Sequence, residues 1–100
     1  MSVSEYYYSE ILKLSSLMEY DVEHVYIYMS PTMMLSDLIK LNKLRLAAIE
    51  KWSHHLNHHA DDREKRKWSS IFKSQLNIIL SSEANLKLTK NEMYKTFTKY

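Results

Sequence analysis

The sequence predicts an all-α fold, a small helical bundle in a single domain (residues 1–100) built on a long antiparallel helix hairpin. Three observations point there. The 100 residues contain no glycine and one proline, where average usage would supply roughly seven and five. Glycine is the usual residue of left-handed turns, helix C-caps and hairpin loops, so a chain without it can turn only rarely. Apolar residues recur three and four apart over long stretches, the period of one helix face. The lone proline, Pro31, follows Ser30 in the way a first helical residue follows its cap.

The first helix is expected from about residue 5 to 29, with Ser4 as its cap and Tyr7, Ile11, Leu14 and Met18 as its inner stripe. Val22, Val25 and Met29 continue the stripe without a breaker. Residues 22–28 are rich in β-branched and aromatic side chains that also suit a strand, and Asp21 could cap a separate helix there. A lone strand has no partner elsewhere in the chain, so helix is the expectation.

The hairpin turn is placed at Ser30 and Pro31. A second helix then runs to about residue 59, a rod of about 43 Å at 1.5 Å per residue. Its broad apolar face includes Leu35, Leu38, Ile49, Trp52 and Leu56, and Asn42 and Arg45 project towards the same side. A buried charge is costly unless paired. Arg45 is therefore expected to meet an acid from the first helix, or the helix to kink near Asn42.

Asp61 or Asp62 can cap a third helix over about residues 62–80, with Trp68, Ile71, Phe72, Leu76 and Ile79 facing inward. Residues 81–85 read as a loop. Thr89 and Glu92 have capping-box spacing, flanked by Leu88 and Met93 at the positions of a hydrophobic staple. They predict a short last helix over about 90–99, with Met93 and Phe97 inside. Two helices of more than twenty residues are too long to be covered by the rest of so small a monomer, which predicts a homodimer.

Composition narrows the function classes. No cysteine is present, so disulfides and thiolate metal sites are excluded and a reducing, cytoplasmic setting is expected. The first residues lack the basic and apolar blocks of a signal peptide, and no apolar run approaches a membrane span. The net charge of +2 conceals an asymmetry: residues 1–39 carry one cation against six acids, and residues 40–100 carry thirteen cations against six acids. Packing an acidic helix beside a basic one accounts for this, as does a basic surface offered to nucleic acid.

The stretch His54, His55, His58, His59, Asp61 and Asp62 is the one that resembles site chemistry. Histidines four apart stand one turn above each other and can chelate one metal ion. His54 pairs with His58 and His55 with His59, each pair followed three residues on by an aspartate. Neither pair carries the glutamate that follows the first histidine of a metalloprotease helix, and solvated histidines at a helix end explain the stretch without a metal. No other cofactor is implied.

Arg63, Lys65, Arg66, Lys67 and Lys73 form the basic surface of the third helix and are the candidate phosphate contacts. No helix-turn-helix accompanies them. Catalysis is not expected: there is no cysteine nucleophile, no glycine loop for phosphate, no recognisable triad and no evident small-molecule pocket. The remaining expectation is a non-catalytic protein acting through protein–protein interaction, as a regulator, inhibitor or adaptor, with Arg45, Trp52 and Trp68 as candidate contact residues. The Lys-, Ile-, Tyr- and Met-heavy composition points to AT-rich coding, as in a phage or plasmid.

Overall fold

A computed structural model describes residues 2–28 and 31–98, with side-chain surroundings over residues 2–19 and 35–91. Among the described residues the fold is three α-helices and no strand: α1 Val3–Tyr28, α2 Pro31–His58 and α3 Asp62–Thr98. Residues 22–28 are helical. Ser30 and Met29 lie outside the described residues, as do the inward roles expected of Val22, Val25, Met93 and Phe97.

Hydroxyl and carboxylate caps start two of the helices. Ser2, not Ser4, caps α1: its Oγ accepts the N–H of Glu5 at 3.1 Å. Both serines have the right chemistry for a cap, but Ser4 falls on the inner face and is wholly buried. Asp61 Oδ1 accepts the N–H of Glu64 at 2.8 Å and caps α3. The end of α2 closes with the N–H groups of His59 and Ala60 both donating to the His55 carbonyl, at 2.8 and 2.9 Å. No described residue adopts a positive φ, so this end forms without the left-handed residue that usually requires glycine.

The C-terminal third corrects the sequence reading. Residues 81–85 are helical and α3 continues unbroken through Thr98, so neither the loop nor a separate helix over 90–99 exists. Ser82 Oγ donates to the Ile78 carbonyl and Thr89 Oγ1 to the Asn85 carbonyl, each at 2.9 Å. These hydroxyls are turned onto the preceding turn as in a helix interior, and Thr89 caps nothing. Glu83 and Lys87 add an i, i+4 ion pair at 3.2 Å across the expected loop.

α2 is the central element, with α1 and α3 each packed along it. Ser4 meets Trp52 and Ser15 meets Arg45, so residue numbers rise along α1 as they fall along α2. The same opposed order relates α2 to α3, where His55 meets Glu64 and Asn42 meets the backbone of Ile79. α1 and α3 touch where Ser4 reaches Glu64 and where the rings of Tyr8 and Trp68 lie 5.7 Å apart. The main core sits at that end: Ile11, Ile49, Trp52, Leu56, Trp68 and Ile79 are buried together.

The 37 residues of α3 span about 55 Å at 1.5 Å per residue and set the 57 Å long axis of the molecule. The radius of gyration is 16.3 Å, against about 13 Å for a compact domain of this length. Accessible surface is 7466 Å², whereas a compact monomer of 12.0 kDa exposes roughly 6,000 Å².

Candidate functional site

Two polar assemblies and one apolar face stand out. The first assembly closes the end where all three helices meet. Ser4 Oγ donates to Glu64 Oε1 at 2.6 Å and accepts the indole N–H of Trp52 at 3.0 Å. His55 Nε2 lies 2.9 Å from the same carboxylate oxygen. Serine, histidine and acid are thus together, but in the wrong order for nucleophilic catalysis. A triad places the histidine between serine and acid so that it can take the hydroxyl proton. Here Glu64 lies between the other two, and Ser4 is sealed from solvent. The arrangement is a clasp that ties α1, α2 and α3 together.

The hydroxyl of Ser4 holds the Glu64 carboxyl below its ordinary pKa of 4.5; burial opposes this, and the hydrogen bond and positive charge of His55 add to it. A lowered carboxyl pKa contributes stability that is complete above the unfolded value and lost as pH falls through the folded one. The melting temperature of the protein is therefore expected to fall as pH drops below about 4.5, and less steeply for Glu64→Gln. Melting curves recorded from neutral to acid pH check this; parallel curves for the two proteins would show that the clasp carries no such linkage.

The second assembly is a polar layer midway along α2. Arg45 is only 4% exposed. Its Nε and Nη2 donate to Asn42 Oδ1 at 3.1 and 2.7 Å, and its Nη1 donates to Ser15 Oγ at 3.1 Å. Asn42 Nδ2 reaches the Ile79 carbonyl at 3.4 Å, and Ser15 Oγ donates to the Ile11 carbonyl. The acid expected from α1 is replaced by a serine. Burial lowers the guanidinium pKa by disfavouring its charged form.

Arg45, Trp52 and Trp68, expected as contact residues, are all buried within the chain, so their side chains face its interior. Trp52 is the hub of the core, its ring 5.9 Å from that of Trp68 and 5.3 Å from Phe72, both edge-on. The expected histidine pairs do stand above one another, His54 to His58 at 4.6 Å and His55 to His59 at 6.3 Å between ring centres. Asp61 serves as a cap, Asp62 is exposed and His55 faces Glu64. Among the described residues no three histidine or carboxylate groups gather as a metal-holding set.

The basic residues of α3 spread over a broad arc of the helix. Lys65 and Lys73 flank a groove floored by Leu56 and Phe72, and Lys67 lies 5.6 Å from the ring centre of Trp68. Arg63 and Arg66 are exposed, and the helical phase turns Arg63 and Lys67 away from the groove of Lys65 and Lys73.

The sequence reading missed the outer α1–α2 face, on the side of α2 away from α3. A groove of about 360 Å³ runs between the two helices, lined by Tyr6, Tyr7, Leu14, Leu44, Ala47 and Ala48, with Glu10 on one rim and Lys51 on the other. Tyr6, Leu17 and Leu44 are about half exposed, at 53%, 49% and 55%. Their signal was present as secondary stripes outside the core phase: Tyr6, Glu10, Lys13 and Leu17 on α1, and Leu44, Ala47, Ala48 and Lys51 on α2.

No helix among the described residues is long and apolar enough to cross a membrane. Comparison of the chain with protein-family models, with curated proteins and with solved structures finds no match.

Proposed function

We propose that this is a non-catalytic helical protein that works by docking another polypeptide along its outer α1–α2 face, as a regulator or adaptor. The observation that carries the reading is the placing of half-exposed Tyr6 and Leu44 along one groove, with half-exposed Leu17 on the same helical stripe as Tyr6. Contiguous apolar surface of this kind marks association sites in soluble proteins. Tyrosine and leucine beside small alanines also let a partner helix approach closely. The nucleic-acid reading has weaker support, because the cations of α3 are dispersed and Lys87 is engaged by Glu83. A cytoplasmic setting suits a chain without cysteine.

A hydrophobic reporter dye tests the reading in dilute solution, where copies of the chain are kept apart. The wild type is expected to bind the dye, and Leu17→Asp with Leu44→Asp to weaken the signal clearly, the exposed Ile78, Leu80 and Leu88 of α3 keeping a remainder. Both residues are half exposed, so the melting midpoint should stay put. A wild type that binds no dye, or a variant that binds it equally, overturns the assignment of this face.

A further inference from the structure

We propose that the polypeptide covering the outer α1–α2 face is a second copy of this chain, related to the first by a twofold axis running along the helices. The inference rests on the docking reading above and adds the partner, the axis and the register.

Area is the first support. The chain exposes 7466 Å², roughly 1,500 Å² more than a compact monomer of its mass. A stable two-protein interface removes about 800 Å² from each partner, so the surface of the whole elongated chain leaves room for one such contact.

Shape is the second. A twofold contact uses one patch twice, so the patch must carry both protrusions and the space to receive them. Tyr6, Leu17 and Leu44 protrude, while Ala47 and Ala48 leave a shallow floor.

Charge fixes the axis. α1 carries five acids against Lys13, and α2 carries four cations against Asp37 and Glu50. An axis across the helices would set the acidic α1 against its own copy. An axis along them sets α1 antiparallel to α2 of the partner at the same level. The register within one chain, Ser4 beside Trp52 and Ser15 beside Arg45, then places Leu14 level with Leu44 of the partner subunit. Glu10 falls within one turn of Lys51 of the partner subunit, and the twofold makes this pair twice. Each helix of the resulting four-helix layer lies against antiparallel neighbours, and the α2–α3 flank stays free.

Size-exclusion chromatography with light scattering, from about 1 to about 100 μM, reads the outcome. The wild type should form a dimer, and Leu44→Asp should weaken it by at least about a hundredfold. Glu10→Lys or Lys51→Glu alone should each weaken it about 3- to 30-fold, since each touches two exposed ion pairs. The two reversals combined in one chain should restore affinity to near the wild-type value. A wild type that stays monomeric throughout, or a combined variant as weak as the single reversals, overturns the proposal. The dye experiment separates the two levels: a monomer that binds dye through Leu17 and Leu44 overturns the second copy and leaves the docking face standing. A monomer that binds none overturns both.

Discussion

Trp52→Ala is expected to destabilise the protein by about 3–5 kcal/mol, the range for emptying a large aromatic site in a core. Trp52 is fully buried and meets Tyr8, Trp68 and Phe72 by its ring and Ser4 by its indole N–H. The substitution opens a cavity and leaves the Ser4 oxygen without its donor, while Ser4 still holds Glu64. Total stabilities are about 5–15 kcal/mol, and Trp52 stands in the one large buried cluster among the described residues. A large fraction of the folded state should therefore be lost. Trp52→Phe separates the two parts: it keeps most of the ring packing and removes only the indole donor, so its cost should be well under that of alanine. Urea denaturation followed by circular dichroism gives both values. A loss below about 1 kcal/mol for Trp52→Ala would place the core elsewhere.

The polar layer around Arg45 makes the second prediction, in which the two outcomes differ in sign. Asn42→Ala removes the oxygen that accepts two Arg45 N–H groups and strands a buried cation. It should cost about 1.5–3 kcal/mol, the worth of hydrogen bonds to a charged group. Replacing the whole pair, Arg45→Met with Asn42→Leu, removes both the desolvated charge and the group that served it. Apolar substitutes for buried ionic groups are often neutral or stabilising by about 1–4 kcal/mol, and the same is expected here because no carboxylate among the described residues pairs with Arg45. Ser15 keeps the Ile11 carbonyl as a partner in the double variant. Chemical denaturation of the three proteins checks the signs. Strong destabilisation of the double variant would mean that the layer contributes net stability as well as register.

The fold was legible where one signal dominated. Pro31 starts α2 and Asp61 caps α3, and Trp52, Leu56, Trp68 and Ile79 were read as core from their period alone. Ser2 and Ser4 are chemically equivalent caps, and only the packing of α1 against Trp52 and Glu64 separates them. The false loop at residues 81–85 came from giving local turn and capping chemistry more weight than the absence of glycine and proline. Nothing in that segment stops a helix, and Ile79 and Leu86 carry the inward stripe through it. Arg45 was recognised as a buried charge, but its partner was not. A serine from α1 and an asparagine one turn away satisfy it, and sequence spacing favours no such pair over an acid.

Of the candidate sites, the two histidine pairs were visible as helical spacing, while their separation from a third ligand depends on how α2 ends. The clasp of Ser4, His55 and Glu64 joins residues from three helices, and Ser4 and Glu64 are sixty positions apart. No local pattern could announce it. The outer face is legible in retrospect, since Leu44, Ala47, Ala48 and Lys51 repeat at helical spacing beside the core stripe.

The claim beneath the functional account is that one copy of this three-helix frame leaves a seam that a second copy closes. Sedimentation equilibrium of the wild type at micromolar concentration measures it most directly. A mass of twice the 12.0 kDa chain, falling towards a single chain on dilution, is the predicted result; one chain mass at every concentration would contradict it.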